Sequence, residues 1–166
     1  MKISDIDSNL KKTSIKEKNI VFCNAAKAPF KLYGIIPPND DEKRYHRMPK
    51  KAAKSVNPGV ELLHTNTAGG RVRFKTDSNY VAIKAEYPDI CVMGHMAQCG
   101  ISGFSLYYDE DGRQIFKGAY IPDGKKQFEG IIYFPDRKMR NITIYFADCI
   151  IFSKFAKYSF NPKEEN

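Results

Sequence analysis

In Arg71–Thr76 every second side chain is apolar: Val72 and Phe74 alternate with Arg71, Arg73 and Lys75. The same period recurs in Tyr80–Glu86, through Val81, Ile83 and Ala85, and in Asn141–Phe146, through Ile142, Ile144 and Phe146. Successive side chains of a strand leave opposite faces, so a period of two predicts strands with one buried side. A chain with several such segments has to stack sheets to bury their apolar faces.

Further segments extend the pattern. Met93–Tyr108 opens with Gly94, Gly100 and Gly103, then alternates: Phe104, Leu106 and Tyr108 share one face, Ser105 and Tyr107 the other. Asp109-Glu110-Asp111-Gly112 reads as a turn and Gln114–Tyr120 as a return strand. Ile20-Val21-Phe22, Phe30–Ile36, Gly59–Thr65, Phe128–Phe134 and Cys149–Tyr158 are additional candidate strands. Asp77-Ser78-Asn79 and Asn66–Gly70 are turns between them. The expectation is an all-β fold, a β-sandwich of jelly-roll type, with helix confined to an N-terminal arm or short turns. Val72, Phe74, Val81, Ile83, Phe104, Leu106, Ile142 and Ile144 are its expected core. Residues 1–20 form a polar arm or short helix, 21–158 the sandwich domain, and 159–166 a polar tail. An aromatic content of 13%, without tryptophan, suits a β-rich interior.

Two stretches carry a family resemblance. One holds His95-Met96 and Gly103-Phe104-Ser105-Leu106-Tyr107. The other holds Tyr45-His46-Arg47-Met48-Pro49, followed by Thr67-Ala68-Gly69-Gly70-Arg71-Val72-Arg73-Phe74-Lys75-Thr76. Together they resemble the N-terminal β-sandwich domain that precedes the catalytic domain in bacterial SGNH/GDSL-type esterases, named for its G-x-D-L-Y motif. Gly103, Leu106 and Tyr107 fit that motif, and Ser105 stands where it has aspartate. The resemblance implies a non-catalytic accessory module that positions an SGNH hydrolase catalytic domain or binds carbohydrate. The residues expected to face a ligand or a partner domain are Tyr45, His46, Arg47, Arg71, Arg73 and Tyr107. Tyrosine supplies a ring face, and arginine a planar fork of donors.

Catalytic chemistry finds no constellation. The nucleophile motif Gly-Asp-Ser and the base motif Asp-x-x-His of SGNH esterases are both absent from the chain, as is the G-x-S-x-G elbow. Cys91, His95 and Cys99 are four apart, a spacing that suits zinc on a helix, but three glycines argue against a helix there. Asp109, Glu110 and Asp111 offer oxygens to calcium, yet a solvated hairpin turn accounts for them more simply. Gly69-Gly70-Arg71 precedes a strand and matches no phosphate-binding motif. The expectation is therefore no enzyme, no cofactor and no metal.

Lys and Arg number 27 against 19 Asp and Glu, a formal charge of +8. That balance admits a basic nucleic-acid-binding protein as the alternative reading, with aromatics set among cations at Lys43–Lys54. No RNA- or DNA-binding motif accompanies it, so nucleic acid is disfavoured. Pro49 argues against a long helix in that stretch, which reads as a solvated loop. No apolar run is long enough for a membrane span. Met1–Leu10 has no signal-peptide core, from which a cytoplasmic location is expected. The same inference favours reduced thiols, while Cys23, Cys91, Cys99 and Cys149 leave two disulfides open.

Overall fold

The computed structural model describes residues 15–17, 20–88 and 92–147, together with the backbone of 154–156. Most of the expected arm, the polar tail, Cys91 and Cys149 lie outside the described residues.

Among the described residues, eight strands and three short helices follow in the order β1 (Lys31–Tyr33), α1 (Lys50–Val56), α2 (Pro58–Leu63), β2 (Arg71–Thr76), β3 (Tyr80–Glu86), α3 (Gln98–Ser102), β4 (Phe104–Glu110), β5 (Arg113–Tyr120), β6 (Gln127–Tyr133), β7 (Arg140–Phe146) and β8 (Lys154–Ala156). They build two sheets, β1-β2-β7-β4-β5 and β6-β3-β8. Every pairing is antiparallel. The sheets lie face to face, so the sandwich expected from the alternation is the fold. The eight expected core residues are all buried and belong to one cluster drawn from both sheets. Phe74 meets Phe30, and Phe104 meets Phe146, edge to face at 5.3 and 5.7 Å.

Asp77-Ser78-Asn79 carries the chain from one sheet to the other, since β2 pairs with β1 and β7 while β3 pairs with β6 and β8. Ser78 is buried there, its N–H donating to Thr76 Oγ1 and its own Oγ accepting from Tyr80 N–H. A short polar side chain that satisfies neighbouring backbone groups makes a buried corner tolerable. The β4–β5 hairpin turns on Asp111 and Gly112, with φ of 49° and 75°. Two residues with positive φ match the twist of paired strands, and Asp-Gly is the sequence that adopts them.

Several expectations fail locally. Gly59–Thr65 reads as a strand but lies mostly in α2, and of Lys43–Lys54, expected as a loop, residues 50–54 fall in α1. The signal is Asn57-Pro58. Asn57 is extended, as a residue before proline must be, and its side chain accepts from Val60 N–H at 2.9 Å. Pro58 occupies the first turn, where a missing N–H costs nothing. One dipeptide thus ends α1 and caps α2. Likewise Ile20-Val21-Phe22 forms no strand, and of Phe30–Ile36 only Lys31–Tyr33 does.

Buried phenols tie the layers together. The Tyr120 hydroxyl on β5 donates to the Val81 carbonyl on β3 at 2.8 Å, bridging the two sheets. Tyr87, just past β3, donates to the Ser102 carbonyl at the end of α3, also at 2.8 Å. Burial pushes the Tyr45 phenol up to about 12 and raises Tyr87 and Tyr120 as well. The ionised form is penalised by the apolar surroundings. In the unfolded chain these phenols ionise near pH ~10. Their contribution to stability is therefore complete below that pH and is lost as pH rises through the folded-state values. Thermal melts should fall in temperature as pH rises from about 10 to 12. Tyr45→Phe should flatten that fall, and an unchanged slope would remove Tyr45 as a source.

Candidate functional site

The two outer faces of the sandwich differ. On the three-stranded sheet Tyr80 and Ala82 point outward from β3 and are buried. The chain ahead of β1 reaches this side: the Lys84 ammonium lies 5.9 Å from the Phe22 ring centre, and the Tyr133 hydroxyl donates to Glu17 Oε1 at 2.6 Å. Among the described residues, the outer face of the five-stranded sheet is open and chemically varied, with Tyr33 39% and Phe116 56% exposed.

Register places its side chains in rows. Tyr33, Arg71, Tyr145, Ser105 and Ala119 form one row across β1, β2, β7, β4 and β5; Lys31, Arg73, Thr143, Tyr107 and Phe116 form the next. Lys75, Asn141, Asp109 and Gln114 lie beyond them. At a strand spacing of about 4.8 Å, each five-residue row is roughly 19 Å across.

Three contacts organise this surface. The Arg71 guanidinium lies over the Tyr33 ring, 5.2 Å from its centre. Arg73 reaches across β7 to Asp109, 2.7 Å from its carboxylate oxygen, and the pair remains partly open to solvent. Tyr107 stands between Phe116 and Tyr145, with ring centres at 5.3 and 5.4 Å. Gln114 joins the cluster to β7: its amide donates to Thr143 Oγ1 at 3.2 Å, and its carbonyl accepts from the Tyr145 hydroxyl at 2.8 Å.

Of the six residues singled out in the sequence, Arg71, Arg73 and Tyr107 come together on this open face. Tyr45, His46 and Arg47 take other positions. Tyr45 is 2% exposed and belongs to the core, so it has no ring face for a ligand. His46 is 3% exposed. Its backbone pairs with Ile36 in both directions, and its Nδ1 lies 2.9 Å from the Arg44 carbonyl. Both were expected at the surface because they sit among cations. Tyr45 is drawn into the core cluster, and His46 is held by its backbone bridge to Ile36. Arg47 is exposed, but it anchors the helices: its N–H donates to the His64 carbonyl and its guanidinium to the Leu63 carbonyl.

Sequence reasoning passed over Phe116, Tyr145, Gln114 and Tyr33, and weighed Asp109 only as a calcium ligand. Tyr145 was recoverable, because Ile144 and Phe146 facing inward leave it outside. Phe116 was not, since strict alternation from buried Tyr120 would put it inside. A bulge between Leu106 and Tyr107 of β4 pairs Leu106 with Gly118 but Tyr107 with Phe116. The extra residue, Lys117, reverses the parity and leaves Phe116 56% exposed.

The other sequence candidates divide. His95 and Cys99 are exposed, and α3 begins only at Gln98, so His95 is off the helix that a four-residue spacing would need. Asp109 is paired with Arg73, and Asp111 forms the hairpin turn. His64, which the sequence left without a role, is buried beside Glu42, with its Nε2 3.3 Å from the carboxylate. Among the described residues, no helix is long and apolar enough to cross a membrane.

Comparison with known proteins follows the geometry. Residues 20–148 match a family model described as GxDLY, the N-terminus of the SGNH-hydrolase type of esterase. No curated protein matches. Among solved structures, one described as a GDSL-like lipase, from Bacteroides ovatus ATCC 8483, is similar with a TM-score of 0.72 at 23% identity, over 87% of this chain and 42% of that one. The salicylyl-acyltransferase SsfX3 from a tetracycline biosynthetic pathway is similar with a TM-score of 0.59 at 13% identity, over 90% and 44%. At these identities the likeness is one of fold. The chain spans less than half the length of either protein.

Proposed function

The chain belongs to the GxDLY family, the N-terminal domains of SGNH-type esterases, and from that premise we propose that it is a non-catalytic accessory module whose role is to position a hydrolase domain. The observation that carries this reading is the extent of the match. The family match ends at residue 148, and both similar structures are more than twice as long as the part they share with this chain. The absence of Gly-Asp-Ser and Asp-x-x-His strings from the chain agrees with it.

Helices α1 and α2 supply a surface suited to such a contact. Leu62 is 74% exposed, its chain neighbour Leu63 is exposed too, and so is Val56 on α1. Apolar side chains grouped on a surface commonly mark protein contacts. The purified chain should hydrolyse acetyl esters at the buffer rate. A separately expressed SGNH hydrolase domain from a GxDLY-containing esterase should bind it, and Leu62→Asp should weaken that association about tenfold, the worth of one well-placed apolar contact. Thermal stability should be unchanged, because Leu62 is not in the core. Ester hydrolysis by the chain alone, abolished by a point mutation within it, would contradict the reading. So would failure of the two domains to associate.

A further inference from the structure

We propose that the open face of the five-stranded sheet is a binding site for an acidic oligosaccharide, a chain of pyranose rings bearing carboxylates. The inference goes beyond the positioning of a hydrolase and requires no second domain.

The face is predominantly cationic. The rows of this face carry Lys31, Arg71, Arg73 and Lys75 against the single carboxylate of Asp109. Ser105 also lies on this face, two residues before Tyr107, at the position where the GxDLY motif has aspartate. Serine there removes a carboxylate from the surface, so this chain's face is more positive than the motif would make it. Among the described residues no carboxylate pairs with Arg71. Tyr33 stacks against its guanidinium, which leaves the edge donors free for a planar anion.

The face also mixes donors with acceptors. Arg73 and Asp109 present a donor and an acceptor side by side, partly exposed. Sugar hydroxyls both donate and accept, and adjacent hydroxyls fit such a pair. Gln114 and Tyr145 add neutral polar groups already oriented by their mutual hydrogen bond. Phe116 supplies an exposed ring at the far end of the row, with the Tyr107 ring beside it at 5.3 Å. Preorganised side chains lose little freedom on binding. A nucleic-acid strand fits less well. Asp109 would sit against its phosphates, and Tyr107 meets Tyr145 nearly at right angles, so the two do not form a stacking platform for successive bases.

Isothermal titration of the full chain with tetragalacturonic acid tests the proposal, with neutral cellotetraose and a short oligo-dT as comparison ligands. Tetragalacturonic acid should bind more tightly than either. Arg71→Ala should weaken it about tenfold or more, the loss of a charge-assisted pair of hydrogen bonds. Phe116→Ala should weaken it several-fold, and both variants should melt as the parent does. If Arg71→Ala melts early, Arg71→Lys keeps the charge without the fork and should still lose affinity several-fold. No heat with tetragalacturonic acid at millimolar concentration would overturn the proposal, as would affinity unchanged in both variants. Tighter binding of oligo-dT would assign the face to nucleic acid instead. Loss of hydrolase-domain association in these variants, with sugar-acid binding absent, would assign it to domain docking and leave the positioning role standing.

Discussion

Phe74→Ala is expected to destabilise the protein by about 3–5 kcal/mol, the range for removing a large aromatic from a core that cannot collapse onto the space. Phe74 lies at the centre of β2, 7% exposed, and pairs in register with Ile142 of β7. Its ring meets Phe30 edge to face, so truncation removes an aromatic contact as well as apolar area. β2 itself is held by ladders on both sides, to β1 and to β7, which limits its movement into a cavity. Denaturant titration gives the value through the midpoint, and the slope should stay constant if the unfolded state is unaffected. A change below about 1 kcal/mol would mean that the site relaxes or that the ring is not in the core.

Gly103→Ala should be nearly as severe, roughly 3 kcal/mol or more, although only one methyl group is added. Overfilling a core usually costs about 1–3 kcal/mol, and the upper end applies when the obstructing atoms cannot rotate away. A Cβ at Gly103 would press into the Cys99 carbonyl oxygen and lie 2.8 Å from the Tyr120 carbonyl oxygen. Both are backbone atoms. Gly103 N–H also donates to the Cys99 carbonyl, closing α3, and its own carbonyl accepts from Ala147 N–H. The constraint is space rather than backbone angle, since φ of −86° with ψ of −177° is open to any residue. Gly112→Ala makes the contrast: nothing lies near its Cβ, but φ of 75° disfavours a side chain. Its cost should be nearer 1 kcal/mol, that of one residue in the left-handed region. If the two substitutions prove equal, the backbone around Gly103 gives way to the added methyl group and crowding does not account for the glycine of the motif.

The face assignments show how far a sequence can be read. The inward parity of Val72 and Phe74, of Val81 and Ile83, and of Ile142 and Ile144 depends only on neighbours along the chain. Once a strand is recognised, alternation assigns all its side chains together, which is why Arg71, Arg73 and Tyr107 were placed on outer faces correctly. Asp111-Gly112 was legible for the same kind of reason, because its backbone preference is local.

Tyr45 and His46 illustrate the opposite case. Their burial comes from a two-residue bridge to Ile36 and from the cluster around Tyr45, partners distant in sequence that no local pattern announces. Helices α1 and α2 were missed although their signal, Asn57-Pro58, is local; a run of apolar residues as short as Gly59–Leu63 fits a strand or a helix turn equally well.

Sequence by itself determined the fold class, the strands around the core and the family, because each rests on residue pattern within a segment. Only the tertiary structure decided which outer face is open. The parity of Phe116 depends on a bulge set by pairing between β4 and β5, Asp109 meets Arg73 across an intervening strand, and one sheet is approached by the segment ahead of β1 while, among the described residues, the other keeps Phe116 and Tyr33 exposed. Exposure is a property of what lies opposite a side chain, and that is settled by contacts between segments far apart along the chain.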